Sequence, residues 1–213
     1  MARRRIAVVL EGGPGAGKTS TARMLAEILR RQGLRPCIVD DAARTLSSIF
    51  TRLFGEWHNA PRMLIEYVFL GYQLCRLRAC SDADVVILDY SIEAPLAYME
   101  ADGIDYPGEL DDIGFEVLRG FDEVYFFVLE QPCSYGLDEA RWEPPRRAAR
   151  YARALFRRAA VLARRLDAPL YVLPERSDAG ERARLIAEIL AAHSRSPRGG
   201  AGGVGVEGGT KRG

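Results

Sequence analysis

Lysine is almost absent from this chain. Of the 213 residues, 30 are lysine or arginine, and only Lys18 and Lys211 are lysines. Lys211 lies in a glycine-rich C-terminal stretch, so Lys18 is the only lysine that we expect in the folded part. An ammonium group is compact whereas an arginine head is a planar fork, and the lysine therefore indicates a position that only the ammonium fits.

Long apolar runs and metal-binding patterns are missing as well. No run of 18 apolar residues occurs, so we expect no membrane span and a cytoplasmic protein. The four cysteines form no Cys-x-x-Cys pair, and only two histidines accompany them, which argues against a zinc site. We expect the cysteines to be buried or half-buried thiols and not a disulfide framework. The formal net charge of +1 argues against a general affinity for polyanions.

Short apolar runs alternate with segments of helical periodicity. The runs predict strands over residues 5–10, 36–41, 82–90, 122–130 and 168–174. The periodic segments predict helices over 18–31, 42–54, 60–79, 93–101, about 113–119, 146–166 and 181–193. Continuously apolar strands are covered on both faces, so the pattern predicts an α/β three-layer sandwich with five parallel strands. This domain is expected over residues 1–193, followed by a disordered glycine-rich tail over 194–213.

Charged residues are unevenly distributed in the second half of the chain. Residues 82–130 contain 14 acids and one base, whereas residues 141–165 contain nine arginines and one acid. Both stretches are typical of solvated faces. Four arginines of the basic stretch share one helix face and offer a second interpretation, in which they bind phosphates or an anionic partner. No aromatic residues interleave with them, so nucleic acid is not a favoured partner.

Residues 12–19, with the sequence GGPGAGKT, match G-x-x-x-x-G-K-[ST] between a predicted strand and a predicted helix. Glycines let successive backbone N–H groups face one anion, and the helix that follows adds the positive end of its dipole. Lys18 is expected to reach the β- and γ-phosphates, and the Thr19 hydroxyl to bind Mg²⁺. The residues predicted to hold the nucleotide are Gly12, Gly13, Pro14, Gly15, Ala16, Gly17, Lys18, Thr19 and Ser20.

Asp89 ends the apolar run VVILD and is the second predicted Mg²⁺ ligand. The chain has no lysine between residues 19 and 210, so it lacks the Asn/Thr-Lys-x-Asp motif that recognises guanine. This absence argues against a small GTPase and favours ATP as the nucleotide.

Four segments in order along the chain carry a resemblance to a known family. They are LEGGPGAGKTSTARML (10–25), VDDAAR (39–44), ILDYSIEAPLAY (87–98) and SYGLDEARWE (134–143). They resemble the P-loop AAA-domain family that includes the ribosylnicotinamide kinase domain of the bifunctional nicotinamide-nucleotide adenylyltransferase/kinase. That group is related to thymidylate and deoxynucleoside kinases. The resemblance extends over residues 5–190 and implies a kinase with a lid before the long basic helix.

The resemblance also implies roles for individual residues. Asp40 or Asp41 would lie near the acceptor hydroxyl, and Arg44 would hold a phosphate or ribose of the acceptor. Arg141 would be the lid arginine that closes over the triphosphate. With Lys18, Asp41 and Asp89, it completes the predicted catalytic set.

One position departs from the pattern of the related kinases, which carry Asp-Arg or Glu-Arg at the end of the third strand. This chain has Asp89-Tyr90, and a tyrosine does not neutralise a phosphate. Three explanations stay open: Arg44 or Arg62 replaces the arginine, the acceptor differs, or phosphoryl transfer is lost. The leading hypothesis is a kinase that uses ATP and Mg²⁺ on a small-molecule acceptor. The alternative is a regulatory ATPase with low turnover and a protein partner, and a homodimer also stays open.

Overall fold

The computed structural model describes residues 4–56, 59–130, 144–173 and 178–195. Five strands form one sheet: β1 (Ile6–Glu11), β2 (Pro36–Val39), β3 (Val85–Asp89), β4 (Glu123–Leu129) and β5 (Leu170–Leu173). Their order across the sheet is β2-β3-β1-β4-β5, and every pair is parallel. The predicted α/β fold with five parallel strands is confirmed.

Seven α-helices and one short 3-10 helix are found in the described part of the chain. They are α1 (Lys18–Arg31), α2 (Ala42–Phe54), α3 (Arg62–Ala79), α4 (Ala94–Ala101), the 3-10 helix (Gly108–Asp112), α5 (Ile113–Leu118), α6 (Pro145–Arg165) and α7 (Ala179–Arg195). None of these helices has the length and apolar character that crossing a membrane requires. Residues 196–213, which make up most of the predicted tail, lie outside the described residues.

Alternate residues of the central strand β1 face two different apolar layers. Val8 and Leu10 pack with residues of α1 and α7 on one face of the sheet. Ala7 and Val9 pack on the other face with residues of α3 and α6. A strand that is buried on both faces has no polar alternation, which is why the sequence shows a continuous apolar run. The sheet is therefore the middle layer of a three-layer sandwich, and the loops that follow β1, β2 and β3 lie at its carboxyl edge.

The acidic and basic stretches of the sequence pair with each other. Helix α6 packs against α4, and five of its arginines form ion pairs with acidic residues between positions 93 and 112. The pairs are Arg147 and Arg150 with Asp102, Arg157 with Glu100, Arg158 with Glu93, Glu100 and Asp111, and Arg165 with Asp112. Much of the positive charge of α6 is thus neutralised within the molecule, which weakens the interpretation of this helix as a polyanion-binding face.

A disulfide joins Cys37 of β2 to Cys80, the residue that follows α3, with 5.7 Å between their Cα atoms. The expectation that these cysteines are free thiols is therefore wrong. The residues are 43 positions apart in sequence, and they meet because the chain leaving α3 turns directly into β3, the partner of β2. Cys75 is an exposed free thiol, and Cys133 lies outside the described residues.

Reduction of this disulfide should lower the free energy of unfolding by about 2–4 kcal/mol, because a cross-link across a loop of this length restricts the unfolded chain. Equilibrium denaturation with and without a phosphine reductant measures the difference. A Cys37→Ser, Cys80→Ser variant is the matched control and should not respond to the reductant. Equal stability of the native protein under both conditions would contradict the cross-link.

Candidate active site

The loop between β1 and α1 requires glycine at defined positions. Gly12, Gly15 and Gly17 have φ angles of 144°, 83° and 86°, which side chains other than glycine rarely adopt. A Cβ atom on Gly12 would lie 2.5 Å from the carbonyl oxygen of Leu129 at the end of β4. The loop therefore lies close against the carboxyl edge of the sheet, and the first residues of α1 follow it directly. This is the arrangement that the phosphate-binding motif predicts.

Lys18 is buried within this loop, with 4% of its surface exposed. Its Nζ donates hydrogen bonds to the carbonyl oxygens of Gly12 at 2.7 Å and Gly13 at 3.0 Å. The same ammonium lies 3.7 Å from the ring centroid of Tyr90, a cation–π contact. Tyr90 has a φ of 95°, a strained conformation for a residue with a side chain. The compact ammonium expected from the scarcity of lysine is thus enclosed on several sides.

Asp89 and Thr19 form a pair of oxygen donors beside the loop. Asp89 is 1% exposed, and neither of its carboxylate oxygens has a hydrogen-bond partner among the described residues. Burial raises the pKa of Asp89, and the nearby Lys18 and Thr19 offset part of that rise. Hard oxygen ligands of this kind suit Mg²⁺, which commonly uses one or two protein groups together with phosphate oxygens. The two residues fit the predicted ion, and their role as ligands stays a prediction.

Asp41 follows β2 as the N-cap of α2 and lines the pocket at the phosphate loop together with Lys18 and Thr19. Its Oδ1 accepts a hydrogen bond from the backbone N–H of Ala43 at 2.9 Å and so caps the helix. Burial and the negative charge of Asp89 together raise the pKa of Asp41 to about 6. A carboxyl group with this pKa exchanges its proton close to neutral pH, as a general base must.

Asp40 is engaged elsewhere. It accepts hydrogen bonds from Tyr72 at 2.9 Å and Thr45 at 3.0 Å, and it forms an ion pair with Arg76 at 2.9 Å. Burial raises the pKa of Asp40, but these donors outweigh it and hold the pKa below its ordinary value. Of the two aspartates, Asp41 therefore faces the loop, whereas Asp40 is held by α2 and α3. The role of Asp40 in binding the substrate stays a prediction.

A second pocket adjoins the phosphate loop and extends between α2, α3 and α4. Phe69, Pro95 and Tyr98 provide apolar and aromatic walls, and Glu66 and Gln73 provide polar groups. Glu66 and Gln73 are 1% and 3% exposed, and the Gln73 Oε1 has no hydrogen-bond partner among the described residues. Buried polar atoms that line an apolar pocket are typical of a ligand site, since they orient the ligand.

The second pocket and the pocket at the phosphate loop have a common wall. Gly15, Asp41, Arg44 and Tyr90 line both. Burial raises the pKa values of Asp41 and Asp89, and the positive charge of Arg44, which lies close to both carboxylates, offsets part of that rise. Tyr90 lies at the boundary between the two pockets.

Both arginines suggested as replacements at the Tyr90 position reach the second pocket. Arg44 and Arg62 line it, and Arg62 forms an ion pair with Glu66 at 2.8 Å. The guanidinium of Arg62 also lies 5.0 Å from the ring centroid of Tyr98. Arg141, the predicted lid arginine, lies outside the described residues, as does the whole segment 131–143.

Sequence reasoning missed several buried polar residues of the site. Glu11, the last residue of β1, is 0% exposed and accepts a hydrogen bond from the Gly12 N–H at 3.2 Å. Burial raises the pKa of Glu11 to about 7, with Lys18 and Ser91 offsetting part of the rise. A carboxylate directly after an apolar run was the available signal. Glu66 and Gln73 are seven residues apart, which places them on one face of α3.

Comparisons with known proteins agree with this fold. A family model described as "AAA domain" matches residues 7–182. No curated protein matches the chain in sequence. Two solved structures of deoxyadenosine kinase from M. mycoides are similar in fold, each covering 88% of this chain and 99% of its own. The structure with products dCMP and a flexible dCDP bound has a TM-score of 0.59 at 16% identity, and the one with bound dATP has 0.54 at 18%.

Replacement of Glu11 by glutamine should change how stability depends on pH. The pKa of Glu11 is about 7 in the folded protein and 4.5 in the unfolded chain. Between these pH values the folded state binds more protons than the unfolded state, so folding becomes less favourable as the pH rises. Glu11→Gln stays neutral and keeps an oxygen for the Gly12 N–H. The stability of Glu11→Gln relative to the native protein should therefore increase from pH 4.5 to pH 8, as measured by denaturant unfolding.

Glu27→Gln is the matched control for this prediction, because Glu27 is exposed on α1. Its stability relative to the native protein should stay nearly constant over the same pH range. A constant difference for Glu11→Gln as well would contradict the raised pKa.

Proposed function

The chain belongs to the AAA-domain family, and from that premise we propose that it is a small-molecule kinase dependent on ATP and Mg²⁺. It transfers the γ-phosphoryl group to a hydroxyl group of a nucleoside, nucleotide or similar acceptor. The observation that carries the proposal is the second pocket, which shares Gly15, Asp41, Arg44 and Tyr90 with the phosphate loop. Transfer requires an acceptor to be held beside the nucleotide, whereas hydrolysis requires only water there.

Phosphoryl transfer depends on positioning and charge neutralisation more than on covalent chemistry. The backbone N–H groups of the loop and the Lys18 ammonium bind the phosphates. Thr19 and Asp89 would hold Mg²⁺, which would supply charge neutralisation to the phosphate oxygens. Arg141 in the segment before α6 is proposed to close over the triphosphate.

Asp41 is proposed to take the proton of the acceptor hydroxyl. The acceptor oxygen bonds to the γ-phosphorus, the bond to the bridging β–γ oxygen breaks, and ADP leaves with that oxygen. A carboxyl group with a pKa of about 6 is largely ionised at neutral pH and still basic enough to take this proton late in the reaction. Arg44 lies beside Asp41 and supplies positive charge where the related kinases carry an arginine after the strand-end aspartate.

The pocket walls favour a flat acceptor with polar edges. Phe69, Tyr90 and Tyr98 supply aromatic surface, and Glu66 and Gln73 supply an acceptor and an amide group within it. A heterocyclic base stacks on aromatic rings and hydrogen-bonds through its edge, so a nucleoside-like acceptor suits this lining. The deoxynucleotides bound in the M. mycoides deoxyadenosine kinase structures support the same class.

The second candidate function is a regulatory nucleotide-binding protein with low turnover. One observation favours it: Tyr90 occupies the position of the usual arginine, and its ring contacts the Lys18 ammonium. Such a protein would bind ATP and ADP tightly, hydrolyse ATP slowly and show no response to small-molecule acceptors.

Release of ADP from ATP should depend on an added acceptor if the chain is a kinase. A panel of nucleosides, nucleotides and related hydroxyl compounds, tested with ATP and Mg²⁺ in a coupled ADP assay, should contain at least one that raises the rate tenfold or more, roughly the effect expected of a positioned acceptor. A rate that no acceptor raises above the acceptor-free value would support the regulatory alternative and overturn the kinase.

The two lysines supply the matched variants for this assay. Lys18→Ala should reduce acceptor-dependent turnover by about a thousandfold, since it removes the cation at the β- and γ-phosphates. Lys211→Ala, in the C-terminal tail, should leave turnover unchanged. Normal turnover in Lys18→Ala would show that the nucleotide does not bind at this loop.

A further inference from the structure

Arg182 reaches the phosphate loop from the far end of the chain. It lies in the first turn of α7 and is 6% exposed. Its Nη1 donates a hydrogen bond to the backbone carbonyl oxygen of Ala16 at 2.7 Å, across 166 positions of sequence. A buried guanidinium is costly unless it is well placed, so this contact with the loop calls for an explanation.

The position of Arg182 is set by the way α7 begins and packs. The Glu181 N–H donates to Asp178 Oδ1 at 2.7 Å, and the Asp178 N–H donates to Glu181 Oε2 at 3.1 Å, which is a reciprocal capping box. The helix then packs on α1 through Ala183, Ile186, Ala187 and Leu190. Because the helix start and the packing face are both fixed, the stem of Arg182 emerges at one defined point beside the loop.

The hydrogen bond to Ala16 determines the orientation of the peptide that joins Ala16 to Gly17. No cis peptide occurs among the described residues, and in a trans peptide the C=O and N–H groups point in opposite directions. With the Ala16 carbonyl turned towards Arg182, the Gly17 N–H points away from it. Gly17, Lys18 and Thr19 line the pocket at the phosphate loop. The opposite peptide orientation would present a carbonyl oxygen, which repels phosphate.

We propose that Arg182 is a positioning residue of the phosphate site: it holds the Ala16–Gly17 peptide with its N–H towards the phosphates and so forms the anion site in advance. The proposal rests on the proposed function in that the loop must bind the phosphates of a nucleotide. It also gives a further reason for glycine at position 17, because a Cβ there would lie 3.2 Å from Arg182 Nη1. The ligand class is the phosphate chain of a nucleoside di- or triphosphate.

Arg182→Met tests the proposal, since methionine keeps an unbranched apolar stem and removes the donor. Arg184→Met is the matched control, because Arg184 is exposed on the same helix. Calorimetry gives the Kd of each protein for ADP and for inorganic tripolyphosphate, which has phosphates and no nucleoside. Arg182→Met should weaken the binding of both ligands by the same factor, about tenfold or more, because the Gly17 N–H is then no longer held towards the charged phosphates. Arg184→Met should bind both as the native protein does.

Unchanged affinities in Arg182→Met overturn the proposal. A loss for ADP without a loss for tripolyphosphate also overturns it, because Arg182 would then contact the nucleoside part. If the native protein binds neither ligand, the proposed function fails and the inference fails with it. If the native protein binds both ligands and Arg182→Met binds them equally well, the proposed function stands and only the inference about Arg182 is refuted.

Arg182→Lys distinguishes a positioning role from a role in stability, since lysine keeps an aliphatic stem and a positive charge but lacks the planar guanidinium. The proposal expects weaker binding of both ligands at an unchanged melting temperature. Full affinity in this variant overturns it. Addition of guanidinium at low millimolar concentration to Arg182→Ala should restore tripolyphosphate binding, whereas sodium at the same ionic strength should not; equal responses to the two cations contradict the assignment.

Discussion

The contact of the Lys18 ammonium with two loop carbonyls and the ring of Tyr90 is the interaction on which the site depends. The carbonyls belong to Gly12 and Gly13, directly after β1, and Tyr90 follows β3. Strands β1 and β3 are neighbours in the sheet, so this one ammonium connects the loop that follows β1 with Tyr90, the residue that follows β3. The phosphate loop and the wall of the second pocket are consequently one continuous structure, and a ligand that displaces or recruits Lys18 acts on both.

Contacts of Tyr90 connect Lys18 with the helices that cover one face of the sheet. Its hydroxyl lies 3.3 Å from that of Tyr98, whose ring packs edge-on against Tyr151 of α6 at 4.5 Å between centroids. Tyr151 in turn donates a hydrogen bond to Asp102, which also forms ion pairs with Arg147 and Arg150 of α6. An arginine after Asp89 would bring charge, whereas tyrosine brings a surface that positions the lysine. Arg44 and Arg62 line the second pocket, and under the proposed function they would supply the positive charge at the acceptor side, which is the first of the three explanations for this departure.

The fold and the phosphate loop were predictable because their signals are local. A buried parallel strand is a continuous apolar run, an amphipathic helix repeats every three to four residues, and the loop is a compact pattern of glycines followed by lysine. The Cys37–Cys80 disulfide, the ion pairs of α6 and the bond from Arg182 to Ala16 were not predictable, since each joins residues that only the folded sheet brings together. Glu11 had a local signal, but its raised pKa follows from burial, which the sequence does not display.

The shared wall of the two pockets is proposed to direct the γ-phosphoryl group to a bound acceptor and not to water. Turnover of ATP in water enriched in ¹⁸O, with the acceptor pool present, tests this directly through the isotope shift of the phosphorus resonances. We expect a phosphorylated acceptor without ¹⁸O and little inorganic phosphate. Inorganic phosphate carrying one solvent ¹⁸O as the main product, at a rate that the acceptor pool does not change, would contradict it.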